Sequence, residues 1–196
     1  MTARTIRRAV FLDRDGCISP DEFGYLDDPS LYQLYPYTGE ALRLLKKMGF
    51  LLFLVTNQSG IARGYFDIPT LERVLDRMKQ LLAKQKVRFN GIYYSPWFAD
   101  GVVPPYNIEH EDRKPGIGMF KRARNQHVFE AGLSWMIGDR RTDVEFGHNA
   151  GMKTILLLSG EGAREMLNGL DSWTVRPDYI AENLLTAAKL IQMLEQ

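Results

Sequence analysis

Two aspartates separated by one residue, Asp13 and Asp15, follow a short apolar run near the N-terminus. A carboxylate in such a place can attack an electrophile and form a covalent intermediate. A second carboxyl group beside it can protonate a leaving oxygen if the surroundings favour different protonation states in the two groups. An Asp-x-Asp pair alone is also common as a loop cap, so its meaning depends on the residues that accompany it.

Three further polar clusters contain the residue types that would complete such a site. Phosphoryl transfer needs cations and hydrogen-bond donors around the spread negative charge of the transferring group, and magnesium prefers a few hard oxygen ligands. Each cluster alone could equally be a turn or a helix cap. Together their residue types indicate metal-assisted phosphoryl transfer. The clusters are Thr56-Asn57-Gln58-Ser59-Gly60, Arg113-Lys114-Pro115-Gly116 and Gly138-Asp139-Arg140-Arg141-Thr142-Asp143.

Short apolar runs alternate with helical patterns along the chain, which predicts βα units and a parallel sheet. Three of the four clusters directly follow a predicted strand, and Pro115 is the predicted first residue of a helix. Because parallel strands end at one edge of a sheet, we expect one pocket with at least three carboxylates and a lysine. The predicted strands are 9–12, 50–55, 91–94, 135–137 and 154–158, and apolar residues have helical spacing at 42–48, 71–82 and 181–194.

The predicted fold class is α/β, a doubly wound and mostly parallel sheet in one domain over residues 1–196. Two stretches, 18–36 and 96–113, match no element. Loops of this length in a compact domain are usually functional or disordered. The stretch after the first motif is too short for a separate cap domain, so we expect a minimal cap made of loops. It would consist of a flap at 18–36 and a specificity loop at 96–113.

Composition limits the partners of this chain. The formal net charge is +1, so no overall field attracts nucleic acid or a membrane surface. No apolar run is long enough to cross a bilayer, and the single cysteine, Cys17, excludes an intramolecular disulfide. We expect a cytoplasmic monomer that binds a small phosphorylated metabolite, with Cys17 as a packing residue.

The four motifs, in this order, resemble the haloacid dehalogenase (HAD) superfamily of phosphohydrolases, and the resemblance covers residues 10–158. One branch is especially similar, the branch that contains the heptose-bisphosphate phosphatases and the histidinol-phosphate phosphatases. The long second motif is the most specific of the four. The similar segments are Phe11-Leu12-Asp13-Arg14-Asp15-Gly16, Val55-Thr56-Asn57-Gln58-Ser59-Gly60-Ile61-Ala62-Arg63-Gly64, Arg113-Lys114-Pro115 and Gly138-Asp139.

The resemblance implies a division of roles within the motifs. Asp13 would be the nucleophile, and Asp15 would protonate the leaving group and then activate water. The transferring phosphoryl group would be held by Thr56 and Asn57 and neutralised by Lys114. An arginine at the position of Arg113 reaches the substrate in this branch.

The same resemblance implies a magnesium ion on the Asp13 carboxylate, the Asp15 backbone carbonyl and Asp139. Three further residues are candidates for the site. Asp143 fits a second acid of the last motif, or a helix cap. Arg63 fits a contact to the distal part of the substrate or a structural role, and Ser59 follows the phosphate-binding pair.

This chain departs from its relatives in the loop before the Arg-Lys-Pro motif. Many members of the branch bind a structural zinc there through a Cys-x-His pair and a Cys-x-Cys pair. The matching positions here include Ser95, Trp97, His110 and Asp112. His110 and Asp112 make at most half a site, so we predict no zinc and a loop that is held by packing.

The expected function is magnesium-dependent hydrolysis of a phosphate monoester through an aspartyl-phosphate on Asp13. The resemblance favours a D-glycero-D-manno-heptose bisphosphate as substrate. Histidinol phosphate and the 3′-phosphate of a nucleic-acid end are enzymatic alternatives, and the lack of a basic stripe argues against the second. The alternative from another class is a catalytically silent regulator that binds a ligand.

Overall fold

The computed structural model describes residues 7–21, 24–167, 169 and 172–195. Its centre is a six-stranded sheet in the order β3-β2-β1-β4-β5-β6, and every neighbouring pair is parallel. The α/β prediction is confirmed, and the described sheet is entirely rather than mostly parallel. The strands are β1 (Arg8–Leu12), β2 (Phe50–Asn57), β3 (Gly91–Ser95), β4 (Trp135–Gly138), β5 (Lys153–Leu157) and β6 (Tyr179–Ala181).

Helices cover both faces of this sheet, so its strands are buried on both sides. Alternate residues of β1 show the division: Val10 and Leu12 pack in one apolar cluster, and Ala9 and Phe11 pack in the other. The first cluster includes residues of α1, α2 and α6, and the second includes residues of α3 and α4. The helices are α1 (Thr38–Lys47), α2 (Ile68–Lys84), α3 (Gly118–Gln126), α4 (Arg141–Asn149), α5 (Gly162–Leu167) and α6 (Leu184–Leu194).

Local signals explain several element boundaries. Asp67 caps α2, since its side chain accepts a hydrogen bond from the Thr70 backbone N–H at 2.9 Å. Asn183 caps α6 in the same way through the backbone N–H of Leu185, at 3.0 Å. The order of strands reverses direction beside β1, which lies between β2 and β4. The carboxyl end of β1 is therefore the place where an open parallel sheet provides a crevice for a ligand.

Two boundary predictions were wrong. Pro115 does not open a helix, because residues 115–117 form a turn and α3 begins at Gly118. The C-terminal helix begins at Leu184 rather than near 181, because Tyr179–Ala181 pairs with β5 as a sixth strand. That strand has three residues, too few to show a period of two in the sequence. The short helix α5 was also missed.

The two predicted loops contain little regular structure. In segment 18–36, residues 22 and 23 lie outside the described residues, and the rest includes a 3₁₀ turn at Pro29–Leu31. Segment 96–113 contains no helix or strand. Cys17 is fully buried, as expected of a packing residue. No helix in the described part of the chain is long and apolar enough to span a bilayer.

Candidate active site

Asp13 occupies the first position after β1, directly above the end of the strand. Its backbone N–H continues the ladder to β4 by donating to the Ile137 carbonyl at 3.1 Å. Its Oδ1 accepts from the Arg14 backbone N–H at 2.7 Å and lies 3.0 Å from Lys114 Nζ. Two donors therefore fix this carboxylate through one oxygen. The other oxygen, Oδ2, has no hydrogen-bond partner among the described residues.

Lys114 brings a buried cation to the same place. Its Nζ donates to Asp143 Oδ1 at 2.6 Å and to the Val55 carbonyl at 2.9 Å, besides its contact with Asp13. Burial by itself lowers the pKa of Lys114, but Asp13 and Asp143 outweigh burial and raise this pKa to about 12. Lys114 is therefore a permanent cation that contacts one residue in each of the other three motifs.

Asn57 holds the backbone that carries Lys114. Its Oδ1 accepts from the Lys114 N–H at 3.0 Å, and its Nδ2 donates to the Lys114 carbonyl at 3.1 Å. This reciprocal pair uses both ends of the amide. The side chain of Asn57 therefore positions the lysine in this structure, and the contact of Asn57 with a phosphoryl group stays a prediction.

Asp15 is held by a neighbouring arginine. Arg14 donates to both carboxylate oxygens, from Nε at 2.8 Å and from a terminal nitrogen at 2.6 Å. Gln58 Nε2 donates to Asp15 Oδ2 at 3.2 Å and to Thr56 Oγ1 at 2.8 Å. One amide thus connects the predicted acid to the predicted phosphate-binding hydroxyl.

Asp13, Asp139 and Asp143 form a compact group in which one carboxylate oxygen from each lies within 4.8 Å of the others. Asp139 Oδ2 accepts from the Glu161 N–H at 2.8 Å, whereas its buried Oδ1 has no hydrogen-bond partner among the described residues. Hard oxygen atoms in this arrangement suit a divalent cation such as magnesium. A buried carboxylate oxygen without a donor is the observation that supports this fit.

The pKa values of these aspartates also indicate that the group suits a bound cation. Burial raises the pKa of Asp13 to about 7, with Lys114 opposing the rise and Asp143 and Asp15 adding to it. Burial, followed by the charges of Asp13 and Asp143, raises the pKa of Asp139 well above its ordinary value. One lysine does not compensate three close carboxylates, so a bound cation would favour their ionised forms.

Gly16 leaves room for this group. Its φ is +75°, a conformation that L side chains rarely adopt, and a Cβ there would lie 2.1 Å from Asp139 Oδ2. Only glycine at this position lets the chain turn directly beside the acidic group. The Asp143 side chain also accepts from the Arg140 backbone N–H at 3.0 Å. It therefore serves as a helix cap as well as a member of the group.

Eight of the predicted site residues line one cavity of about 530 Å³ at the carboxyl ends of the strands. Asp139 and Asp143 lie beneath it, against Asp13. A neighbouring cavity of about 610 Å³ is lined by none of the predicted site residues, so the smaller one is the candidate site. The eight residues are Asp13, Asp15, Thr56, Asn57, Ser59, Arg63, Arg113 and Lys114.

The sequence interpretation missed three residues of the site. Arg14 and Gln58 hold Asp15, as described above. Arg140 lines the cavity and forms an ion pair with Asp21 of the flap at 2.8 Å. All three lie inside the recognised motifs, and this position was the only sequence signal that they belong to the site. Nothing in the sequence shows which partner each would contact.

The loop that carries zinc in many relatives is packed with aromatic residues here. The His110 imidazole stacks on Trp97 with ring centroids 4.4 Å apart, and Tyr106 packs on the same indole. Asp112 is 3.1 Å from an Arg122 nitrogen. His110 and Asp112 therefore have protein partners, including each other through the Asp112 N–H and His110 Nδ1 at 3.1 Å, and the absence of zinc stays a prediction.

The fold and the site define a class, that of HAD-like phosphohydrolases, and the comparisons agree. A family model for HAD-hydrolase-like proteins matches residues 112–187. The structure is similar to a D,D-heptose 1,7-bisphosphate phosphatase from B. bronchiseptica complexed with magnesium and phosphate. In that comparison the TM-score is 0.79, the identity is 29%, and 96% of this chain and 98% of the other are covered.

Sequence relatives identify the branch of this class to which the chain belongs. The chain is 37% identical to the D-glycero-D-manno-heptose-1,7-bisphosphate 7-phosphatase of Thermosynechococcus vestitus, over 94% of this chain and 95% of that one. It is 36% identical to the D-glycero-beta-D-manno-heptose-1,7-bisphosphate 7-phosphatase of Pasteurella multocida, over 97% and 100%. The chain is therefore a phosphatase that belongs to the heptose-bisphosphate phosphatase branch of the HAD-like hydrolases.

Proposed function

We propose that this phosphatase removes one phosphate from a sugar bisphosphate, with a D-glycero-D-manno-heptose-1,7-bisphosphate as its substrate. The observation that carries the chemistry is the setting of Asp13. One of its oxygens is held by Lys114 and by the Arg14 amide, which leaves Oδ2 for attack on phosphorus. The acid Asp15 lies two residues further along the chain.

The reaction has two steps. In the first, Asp13 Oδ2 forms a bond to phosphorus and the bond from phosphorus to the sugar oxygen breaks. Asp15, in a protonated form that has left its ion pair with Arg14, gives its proton to that oxygen. In the second, Asp15 takes a proton from water and the water oxygen bonds to phosphorus. The bond to Asp13 then breaks, which releases inorganic phosphate and restores both carboxyl groups.

The other site residues hold charge and geometry. Lys114 stays cationic beside the phosphoryl group as negative charge spreads over its oxygens. Asn57 keeps the lysine in place, and Gln58 sets the orientation of Thr56 toward the phosphoryl oxygens. A magnesium ion on Asp13 and Asp139, with the Asp15 backbone carbonyl as a further ligand, would supply electrostatic stabilisation of that charge.

The substrate assignment rests on the relatives and on the cations beyond Lys114. Arg63 and Arg113 line the same cavity, and Asp21 already neutralises Arg140. A second phosphate on the sugar would give these guanidiniums an anionic partner. The amino group of histidinol phosphate would instead add a cation to this part of the cavity, which argues against that alternative.

The test is phosphate release by the purified protein with magnesium, against sugar mono- and bisphosphates, histidinol phosphate and a 3′-phosphorylated oligonucleotide. We expect the heptose bisphosphate to have the highest kcat/KM and Asp13→Asn to abolish its hydrolysis. Chelation with EDTA should stop turnover and added magnesium should restore it. A preference for histidinol phosphate or the oligonucleotide would refute the substrate, and turnover unaffected by chelation would refute the metal.

A further inference from the structure

Phe98, in the loop at 96–113, lies beneath two arginine side chains that come from different segments. The Arg63 guanidinium carbon is 4.0 Å from the centroid of the Phe98 ring, and that of Arg113 is 4.8 Å from it. All three side chains are half-buried, and both arginines line the candidate active-site cavity. A single aromatic ring therefore supports two cations at the edge of the site.

The positive charges of these two arginines are not balanced by carboxylates in the described part of the chain. Neither Arg63 nor Arg113 forms an ion pair with a carboxylate in the part of the chain that the structure describes. Arg63 Nε is buried with no hydrogen-bond partner there, and Arg113 donates to the Trp97 carbonyl at 3.2 Å. Two neighbouring guanidiniums repel each other, so an anion that both can reach would stabilise them.

The backbone fixes the ring against the segment that carries Arg63. The Phe98 N–H donates to the Tyr106 carbonyl at 3.0 Å, and the Phe98 carbonyl accepts from Gly101 at 2.9 Å. Residues 102 and 103 both donate to the Ala62 carbonyl, at 2.7 and 3.0 Å. A Cβ on Gly101 would lie 2.6 Å from that carbonyl oxygen. The two segments are thus tied next to the stacked side chains.

We propose that Phe98 is a positioning residue that holds the Arg63 and Arg113 guanidiniums together as the site for a second phosphate group of the substrate. This inference rests on the proposed function, because it assigns the end of the sugar that does not react. Two planar guanidiniums on one ring present their N–H donors in fixed directions, which suits the oxygen atoms of a phosphate. Without the ring, both side chains would lose that preorganisation.

The experiment compares two substrates that differ by one group, heptose 1,7-bisphosphate and heptose 7-phosphate. Phe98→Leu should raise KM for the bisphosphate about tenfold and leave kcat within about twofold, because attack on phosphorus occurs elsewhere. KM for the monophosphate should stay within about twofold. Phe98→Trp should restore the bisphosphate KM, since a larger ring also supports guanidiniums.

Two controls separate positioning from damage to the loop. Tyr106→Leu removes an aromatic ring that packs on Trp97 in the same loop, and it should leave the ratio of the two KM values unchanged. Thermal unfolding of each variant reports any loss of fold. Equal changes in KM for both substrates, or a Phe98→Leu variant with the KM ratio of the wild type, would overturn the inference.

A binding measurement decides the inference without turnover. Calorimetry in the Asp13→Asn background should show that Phe98→Leu weakens the bisphosphate about tenfold and the monophosphate less than twofold. Equal affinities with and without the ring would overturn the role of Phe98. A wild-type chain that binds both sugars and hydrolyses neither would contradict the proposed function instead.

Discussion

The floor of the active site and the loops around it are built in different ways. We use floor for the residues at the strand ends, among them Asp13, Lys114 and Asp143, which are buried and joined by hydrogen bonds of 2.6 to 3.0 Å. The loop at 96–113 instead holds the half-buried side chains of Arg63 and Arg113 by stacking on Phe98, and backbone hydrogen bonds tie this loop to the segment that carries Arg63. In the proposed function, the floor provides the chemistry common to the class and the loops provide the contacts that can vary.

This difference predicts that substitutions in the floor and substitutions in the loops will have different effects on kinetics and stability. A change in the floor should lower kcat and alter stability, because buried charges lose partners. A change in the loops should raise KM and leave kcat nearly constant, because in the proposed function the loops contact only the part of the substrate that does not react.

Lys114→Met should have the largest effect. It removes the cation between Asp13 and Asp143 and leaves buried carboxylates without compensation. We expect kcat per folded molecule to fall at least about 10³-fold. The free energy of unfolding should fall by roughly 3–5 kcal/mol, measured by denaturant titration. Lys121→Met, at an exposed lysine paired with Glu111, is the matched control and should change neither. A stable and active Lys114→Met enzyme would contradict the claim that the floor, unlike the loops, is needed for kcat and stability.

Asp139→Asn should lower kcat about 10²-fold or more and abolish stabilisation by magnesium. In EDTA the same variant should melt a few degrees above the wild type, since it removes one of the repelling carboxylates. Differential scanning fluorimetry with and without magnesium measures both effects. Asp76→Asn, on an exposed helix position, is the control. A variant that keeps its full response to magnesium would place the metal elsewhere.

The pH dependence of stability without metal should also originate in the floor. The unfolded Asp13 carboxyl loses its proton near pH 3.8, whereas the folded one keeps it until about pH 7. The folded state therefore binds more protons between these values, and stability falls as pH rises through this window.

The expected loss is roughly 2–4 kcal/mol for this group, measured by urea unfolding in EDTA from pH 4 to pH 8. Asp13→Asn removes the titrating group, so the variant should show a shallower slope over the same range. Identical slopes for the two proteins would contradict the electrostatic description of the floor.

Arg113→Lys should have the smallest effect and act on KM alone. Lysine keeps the charge but loses the planar stacking on Phe98 and the fork of donors. We expect KM for the bisphosphate to rise about fivefold with kcat within about twofold, from steady-state kinetics. Arg124→Lys, on α3 over Phe120, is the control for a stacked arginine away from the cavity. A drop in kcat for Arg113→Lys would mean that this loop takes part in the chemistry.

The sequence predicted the floor better than the loops for a physical reason. Parallel strands of apolar residues must end at one edge, so Asp13, Thr56 and Asp139 had to meet wherever the strands were recognised. Lys114 reaches them from a turn, and the Asn57 side chain that fixes this turn is 57 residues away in the chain. Contacts over such a separation have no local pattern, which is why the helix start at Pro115 was misplaced.

The loops had no such rule. Nothing in the spacing of Arg63, Phe98 and Arg113 indicates that they stack, because the stack depends on backbone hydrogen bonds between two irregular segments. The absence of cysteines at the zinc positions did indicate that packing must hold the loop. Trp97 and Phe98 were candidates from the sequence, but their partners, His110 for Trp97 and the two arginines for Phe98, required the structure.

The most direct test of the account is to trap the covalent intermediate. A single turnover of the sugar bisphosphate with magnesium would be quenched in acid, and the digested protein analysed by mass spectrometry. We predict a phosphoryl group on Asp13, which forms more slowly in Asp15→Asn because that variant cannot protonate the leaving sugar oxygen, and none in Asp13→Asn. Complete turnover with no adduct, or an adduct on another residue, would contradict the assignment of Asp13 as the nucleophile.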